Sequence, residues 1–156
     1  MPSTVVSTAI VAIAGIVMAS IFAVALLSQV GVIDSTFRGV SQNAINKMKT
    51  SIDIVYLTLN GSYFVVYVKN TGQRSISLDE IKLIDVYFGN GSMQLYVYNT
   101  TGLGIWNYTE VSPDNTWSVG ETLIIRIYNE TAIEGPTYYV KIVLPNGVSD
   151  EDTYTI

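Results

Sequence analysis

The sequence predicts a mainly β protein with one long N-terminal α-helix, followed by an antiparallel, immunoglobulin-like β-sandwich of about seven strands. Two features predict this arrangement. No charged residue precedes Asp34, and apolar residues dominate that part of the chain. From Ser51 onward, short runs of β-branched and aromatic residues alternate with turn residues. We therefore expect a helical segment over residues 1–50 and a β-sandwich domain over residues 51–156.

The apolar run is long enough to cross a membrane. Residues 5–33 would form a helix of about 43 Å, against about 30 Å for the hydrocarbon core of a bilayer. A cleaved secretory signal would need a basic leader and an apolar core of only about 7–15 residues. No Lys or Arg precedes this run. We expect an uncleaved helix that lies in a membrane or in the core of a filament.

Small residues recur on one face of this helix. Gly15, Ala19 and Ala23 follow one another at intervals of four, which places them in one stripe. Such stripes let helix backbones approach closely in an apolar medium. The pattern predicts helix–helix packing, although Gly and Ala are also common in membrane helices for no such reason.

A second apolar pattern follows Asp34. Apolar residues recur at intervals of three and four, as expected for an amphipathic helix. The sequence leaves two interpretations open: the first helix continues to about Lys49, or a short second helix packs on the globular domain. The residues of this predicted face are Ile33, Phe37, Val40, Ala44 and Met48.

The β-domain is predicted from its turns. Asn-Gly pairs at residues 60–61, 90–91 and 146–147 each follow a β-rich run, and Asn-Gly favours type I′ hairpins with positive φ at both central residues. Residues 80–88 read as a strand. Residues 100–118 are rich in Gly, Thr and Asn and are predicted to be a long loop or a ragged edge of the sheet.

Composition excludes several kinds of chemistry. The chain has no cysteine and no histidine, so it cannot form a disulfide, a thiolate nucleophile or an imidazole base. A net charge of −5 argues against nucleic acid as a partner. The carboxylates are dispersed, and residues 150–152 read as a solvated acidic turn rather than a calcium loop. We expect no catalytic residues, no metal site and no cofactor, and therefore no enzyme.

Sequons for N-glycosylation are frequent in the β-domain and absent from the apolar helix. Turns favour Asn, Ser and Thr for conformational reasons as well, so the excess does not by itself establish a modification. We expect tight hairpins to hinder transfer at the first two sites. The candidates are Asn60, Asn90, Asn99, Asn107 and Asn129.

Two further expectations concern partners and orientation. Trp106, Tyr108 and Trp117 fall outside the predicted strands, which makes them candidates for a partner surface. Basic residues after the apolar run favour a cytoplasmic position for the β-domain, whereas the sequons favour the exterior. Long domains translocate largely regardless of charge, so we expect the β-domain outside the cytoplasm in the cell envelope.

Several phrases of the sequence resemble those of a known family. The opening PSTVVSTAIVAIAGI lacks a basic leader, and VKNTG at 68–72, WSVGETL at 117–123 and PNGVS at 145–149 lie further along the chain. Together they resemble the accessory proteins of the archaeal swimming filament, the archaellum, and the G type (FlaG, also ArlG) more than the F type. The β phrases also recur in archaellins and pilins.

The resemblance implies a function without catalysis. It implies an immunoglobulin-like sandwich between membrane and surface layer, bound to the F-type accessory protein, which binds the surface layer, so that the rotary motor is braced. The expected partners are membrane lipid or other copies of the same helix, in a homo- or hetero-oligomer. Two alternatives stay open: a filament-forming archaellin or type IV pilin-like subunit, and a membrane-tethered carbohydrate-binding adhesin.

Overall fold

A computed structural model describes residues 2–110, 114–129 and 135–155, without the side chains of residues 2, 3 and 110. The chain forms two compact units, Met1–Asn43 and Ala44–Ile156. A long helix, α1 (Pro2–Lys49), is followed by strands and one short helix, α2 (Leu78–Ile81). The strands are β1 (Ile52–Asn60), β2 (Tyr63–Asn70), β3 (Ile76–Ser77), β4 (Asp85–Gly89), β5 (Gln94–Tyr98), β6 (Ile105–Glu110), β7 (Thr116–Trp117), β8 (Thr122–Tyr128), β9 (Thr137–Val143) and β10 (Ser149–Thr155).

The helix α1 is continuous from Pro2 to Lys49. This resolves the choice between one long helix and two shorter ones. Proline is accepted at the first position of a helix, where its missing N–H would be unbonded anyway, and no proline occurs again before Lys49. Lys47 and Lys49 lie in the last turn, where positive charge interacts favourably with the helix dipole.

The β-domain has the sandwich-like fold that the sequence predicts. Eight strands form the main sheet in the order β1-β2-β8-β6-β5-β4-β9-β10, and β3 pairs with β7 in a small second sheet. The described pairs are antiparallel except β5 with β6, which run parallel through Val97–Ile105 and Tyr98–Trp106. The predicted fold class is confirmed, with more strands than the seven expected and with this one parallel pair.

The core lies between the two halves of the main sheet. Strand β8 shows the alternation expected of a half-buried strand, with Leu123, Ile125 and Ile127 fully buried. Aromatic rings fill the centre, where Phe64 lies with its ring centroid 4.5 Å from that of Phe88. Such ring pairs add stability beyond the area that they bury.

The edges of the main sheet meet through a side chain. Strands β1 and β10 are its two end strands. The backbone N–H of Ile54 on β1 donates to the Asp150 carboxylate on β10 at 2.7 Å. The carboxylate satisfies a backbone donor that an end strand would otherwise leave open. Asp150 therefore has a structural partner within the sheet.

The prediction of a strand over residues 80–88 was wrong for its first half. Ser77 accepts a hydrogen bond from the backbone of Glu80, and the Glu80 side chain accepts one from the Ser77 backbone. This capping box starts α2, so that strand β4 begins only at Asp85. The Ser-x-x-Glu spacing was visible in the sequence and outweighed the alternating apolar pattern.

The predicted first hairpin differs in its turn. Asn60 remains in β1 and pairs with Tyr63, so Gly61 and Ser62 are the central residues. Only Gly61 has a positive φ, of 63°. A glycine with positive φ at the first central position fits a type II′ turn rather than the expected type I′.

Two segments predicted as irregular are strands. Residues 105–110 and 116–117, expected within a long loop, form β6 and β7. Residues 150–152, expected as an acidic turn, lie in β10. In both places the pairing partners come from other parts of the chain, since β6 pairs with β8, β7 with β3 and β10 with β9, and a local pattern does not show those contacts.

Candidate assembly surfaces and modification sites

The surface of α1 is apolar over most of its length. Large side chains on all sides of the helix are open to the surroundings, among them Ile13, Phe22 and Leu27, which are 62%, 65% and 73% exposed. By length and composition the helix can cross a membrane. A helix that is apolar all round is stable only where lipid or other protein covers it.

Two hydroxyl side chains in the apolar half of α1 are bonded to the helix itself. Thr8 Oγ1 donates to the carbonyl oxygen of Thr4, and Ser20 Oγ donates to that of Ile16, both at 2.8 Å. These bonds satisfy the hydroxyl donors without water. The helix can therefore enter an apolar medium with these groups paired.

The predicted small-residue stripe lies open on α1. Gly15, Ala19 and Ala23 are exposed, and a Cβ added at Gly15 would meet nothing within 4 Å. Because these side chains are small, the backbone of a second helix can come close to α1 along the stripe. Packing at this stripe stays a prediction.

The predicted amphipathic face is also exposed. Met48 is 86% exposed, and Ile33, Phe37, Val40 and Ala44 are exposed as well. On the polar side, Arg38 Nε lies 2.8 Å from Asp34 Oδ2 in an i,i+4 ion pair. These residues belong to one continuous helix and not to a separate short one.

The end of α1 within the second unit is held by a group of polar residues, here named the helix-end cluster: Thr50, Asn70, Gly72, Arg74 and Asn146. Thr50 is buried, and its hydroxyl donates to the carbonyl oxygen of Asn46 at 2.7 Å. The same hydroxyl accepts from Asn146 Nδ2 at 2.9 Å and from Arg74 Nε at 3.4 Å. One side chain thus joins the helix end to two loops.

Gly72 packs directly against the chain that leaves the helix. A Cβ at this position would lie 2.6 Å from both the carbonyl oxygen of Lys49 and the backbone nitrogen of Ser51. The next residue, Gln73, donates its backbone N–H to the Lys49 carbonyl at 2.7 Å. This bond satisfies a carbonyl that the helix end would leave open.

Asn70 connects strand β7 to the helix-end cluster. Its side chain is fully buried. Nδ2 donates to the carbonyl oxygens of Trp117 and Arg74, and Oδ1 accepts from the Gly72 N–H at 3.1 Å. The three β phrases behind the family resemblance are therefore linked through the helix-end cluster, since Asn70, Trp117 and Asn146 each belong to one of them.

An ion pair supports this cluster from the side of α2. Arg74 makes two contacts with the Glu80 carboxylate, Nη2 to Oε1 at 2.7 Å and Nη1 to Oε2 at 3.1 Å. The hydrogen bond from Arg74 lowers the pKa of Glu80 below its usual 4.5, against the opposing effect of partial burial. Glu80 is therefore ionised in the folded protein near neutral pH.

The predicted aromatic partner surface is wrong for its two tryptophans. Trp106 on β6 and Trp117 on β7 are fully buried in the core. Tyr108 is half-buried and packs against the core. Their large apolar rings fill the interior, where the removal of apolar surface from water stabilises the fold.

The acidic residues of β10 are partnered, and no metal site forms from them. Glu151 Oε2 lies 3.3 Å from Lys141 Nζ on β9, and Asp150 accepts from the Ile54 N–H on β1. Within residues 2–110, 114–129 and 135–155 the structure holds no group of three acidic side chains placed to bind a metal ion.

The sequons occupy different environments. Asn60 ends β1, Asn90 lies in the loop between β4 and β5, and Asn99 follows β5, all three exposed. Asn129 follows β8, and its Oδ1 accepts from Tyr96 Oη at 2.6 Å. Asn107 lies within β6, in contrast to the other four, which lie at turns or strand ends.

Comparison with known proteins gives the family. A family model for archaeal-type flagellins matches residues 3–154. This chain belongs to the archaeal-type flagellin family. Among curated proteins, an uncharacterised protein of Archaeoglobus fulgidus is 28% identical over 163 residues, covering 99% of each chain. The resemblance to archaellum proteins is confirmed.

Solved structures point to two kinds of archaellum protein. The archaellum periplasmic stator protein FlaG of Sulfolobus acidocaldarius is 30% identical, with a TM-score of 0.59, and the match covers 67% of this chain and 99% of that one. FlaG in a complex with FlaF gives a TM-score of 0.58 at 30% identity, covering 67% of this chain and 89% of that chain.

The second kind is a filament. The archaeal flagellum of Methanospirillum hungatei gives a TM-score of 0.71 over 97% of this chain and 92% of that chain, at 19% identity. At that identity the likeness shows the fold alone. Family and structural likeness together support a non-enzymatic archaellum component, a class whose members are extracellular or associated with the cell envelope.

Proposed function

We propose that this protein is a FlaG-type component of the archaellum motor. Helix α1 is its membrane anchor, and the β-domain is displayed outside the cytoplasm, where it braces the rotary machinery between membrane and surface layer. The observation that carries the proposal is the 30% identity to the stator protein FlaG over 99% of that chain. The β-domain acts through protein contacts, and no step of the proposal needs catalysis.

The anchor is supported by the chemistry of α1. Its apolar surface is exposed on all sides, its first charged residue is Asp34, and the hydroxyls of Thr8 and Ser20 are bonded inside the helix. A helix with these properties is stable in a bilayer or against other helices. The stripe of Gly15, Ala19 and Ala23 is the face at which we place contact between helices.

The partner in this proposal is an F-type accessory protein. The FlaG of Sulfolobus acidocaldarius has been solved in a complex with FlaF. A stator must hold to something that does not turn, and the proposal assigns that role to the F-type protein and the surface layer.

A second candidate is a filament subunit. The likeness to the flagellum of Methanospirillum hungatei covers 97% of this chain, so it takes in α1 as well as the β-domain. A continuous helix that is apolar all round would suit a fibre core as well as a membrane. A carbohydrate-binding adhesin has less support, because Trp106 and Trp117 are buried and offer no ring surface to a sugar.

The two leading candidates differ in where the protein is found. Cells of the source archaeon are sheared, and the filaments are purified away from the envelopes. We expect an epitope-tagged chain to remain with the envelopes and to be absent from the filaments. A strain lacking the gene should not swim, and the wild-type gene should restore swimming.

Two outcomes would contradict the proposal. Recovery of the chain as a main component of sheared filaments would make it a filament subunit. Normal swimming of the deletion strain would remove both motor and filament roles.

A further inference from the structure

We propose that the sequon at Asn99 carries an N-linked oligosaccharide and that the sequon at Asn107 does not. The inference rests on the outward display included in the proposed function. The donor is an oligosaccharide linked to a lipid phosphate. A bond forms between Asn99 Nδ2 and the anomeric carbon, the bond from that carbon to the phosphate oxygen breaks, the lipid phosphate leaves with the electron pair, and Nδ2 loses one proton.

The sequon at Asn99 lies in a loop that is closed at its base. Residues 99–104 connect β5 to β6. At the base, the Asn99 N–H donates to the carbonyl oxygen of Trp106 at 3.0 Å, and the Gly104 N–H donates to that of Tyr128 at 2.8 Å. Between these two bonds, residues 99–103 are exposed.

Every residue of this sequon is open to solvent. Asn99, Thr100 and Thr101 are exposed. Gly102 and Gly104 adopt φ values of 128° and 70°, which only glycine takes readily, so the loop can leave and return within six residues. No strand pairing has to break for a transferase to reach this segment.

The Asn99 side chain is placed for transfer. Its Oδ1 accepts from the backbone N–H of Thr100 at 2.8 Å. Across the parts of the chain that the structure describes, its Nδ2 makes no hydrogen bond. The nitrogen that would receive the sugar is therefore free of competing contacts, and a bulky glycan at this exposed position meets no core residue.

The sequon at Asn107 has the same chemical form in an unsuitable place. Asn107 lies on β6, which is paired with β8 on one side and β5 on the other. It stands opposite Arg126 in the β6–β8 ladder. Its Oδ1 is buried and, within the described part of the chain, lacks a hydrogen-bond partner.

The hydroxyl of this second sequon is also occupied. Thr109 Oγ1 accepts from Arg126 Nη1 at 2.5 Å. A transferase that recognises the sequon hydroxyl would have to break this bond and unpair β6 from β8. Once the sheet has formed, transfer at Asn107 therefore competes with the stability of the domain itself.

The two sequons provide a matched test within one chain. The full-length protein is purified from envelopes of its own organism and analysed by intact mass and by glycopeptide mass spectrometry. We expect Asn99→Gln to remove one glycan mass and Asn107→Gln to leave the number of attached glycans unchanged. Thr101→Ala should act like Asn99→Gln, whereas Thr101→Ser, which preserves the sequon, should keep the glycan.

A glycan on Asn107, or an unmodified Asn99, would overturn the inference. Protease treatment of intact cells separates this failure from that of the proposed function. An unmodified Asn99 in a β-domain that protease cleaves on intact cells rejects the glycan alone. An unmodified Asn99 in a protected domain rejects the outward display as well.

Discussion

Gly72 shows how strongly a single residue can be constrained at the helix-end cluster. Two backbone atoms, the Lys49 oxygen and the Ser51 nitrogen, stand 2.6 Å from where its Cβ would be. Backbone atoms cannot yield as the end of a flexible side chain can, so any larger residue must displace the chain that leaves α1.

We expect Gly72→Ala to lower the free energy of unfolding of the β-domain by about 2–4 kcal/mol, since a methyl group would be forced against backbone. Urea unfolding of the full chain in detergent measures the change. Thr71→Ala, at the neighbouring exposed position, is the control and should cost no more than about 0.5–1 kcal/mol. Equal effects of the two changes would show that Gly72 is not confined by the backbone around it.

Glu80 makes the stability of the domain depend on pH. Its pKa is lower in the folded state than the usual 4.5, chiefly because Arg74 donates to its carboxylate. A lowered folded pKa means that the stabilisation is fully present above the unfolded pKa and is lost as pH falls through the folded pKa. The loss should therefore occur below about pH 4.5.

Glu80→Gln should remove this part of the pH dependence. We expect the wild-type chain to lose more stability between pH 6 and pH 3 than the variant loses, as measured by urea unfolding midpoints across that range. Asp79→Asn is the control, because Asp79 is an exposed neighbour whose carboxylate lies 3.7 Å from Lys82 Nζ, a longer contact than those between Glu80 and Arg74. Identical pH profiles for wild type and Glu80→Gln would contradict the assigned role.

At the residue scale, the sequence shows which side chains are unusual, but it does not show whether they are buried or what they bind. The Gly, Thr and Asn residues that flank Trp106 and Trp117 predict a loop with exposed rings, whereas both rings are buried. Burial depends on contacts with β8 and the small sheet, which are distant in sequence. The bonds of Asn70 were likewise invisible, since its partners include the carbonyl of Trp117.

At the scale of elements, α1 combines an open small-residue stripe with an open amphipathic face. The stripe belongs to the apolar half and the amphipathic face to the half after Asp34. Two such faces along one helix give separate surfaces for contacts in an apolar and in an aqueous medium.

We expect the double change Gly15→Leu and Ala19→Leu to abolish helix-mediated assembly of the purified protein in detergent, because the larger side chains keep helix backbones apart. Cross-linking and light scattering measure the assembly. Ala14→Leu with Ala25→Leu, two changes of similar size away from this face of the helix, is the control and should preserve it. Unchanged assembly of the stripe variant, with the β-domain folded, would reject the stripe as a contact.

Elements were predicted best where the pattern was local. Strands such as β8 alternate strictly, and the apolar run defines the first half of α1. The continuation of α1 past Asp34 could not be decided, because an amphipathic pattern fits both a free helix and a docked one. The alternating pattern from residue 80 onward predicts a strand, whereas the Ser77–Glu80 capping box starts a helix there and β4 begins only at Asp85.

At the scale of the whole molecule, charge and modification signals oppose each other. Arg38, Lys47 and Lys49 follow the apolar run, which by the positive-inside rule favours a cytoplasmic β-domain. The sequons and the FlaG likeness favour the exterior. We propose an external β-domain because long domains translocate largely regardless of flanking charge.

Protease treatment of intact cells tests this orientation. We expect an external protease to degrade the β-domain of the full-length protein while a cytoplasmic marker protein remains intact. Lysed cells provide the control for accessibility. Protection of the β-domain until lysis would place it inside and reverse the proposed topology.

The fold class of the whole molecule can be predicted from the sequence, but the pairing of its strands cannot. A long apolar helix before a Gly- and Asn-punctuated β-domain is enough to predict a helix and a sandwich. The parallel pairing of β5 with β6 was not, because two strands joined by only six residues are usually antiparallel. The three phrases behind the family resemblance lie far apart in the sequence, and only the fold shows that they are linked at one helix end.

The burial of both tryptophans also makes the protein its own optical probe. The chain has two tryptophans, and both lie in the core of the β-domain while α1 contains none. Intrinsic fluorescence therefore reports the folding of the β-domain alone, whether α1 is in detergent, in lipid or against other helices. A shift of emission to longer wavelength marks the opening of that core, and helix association can be varied without entering the signal.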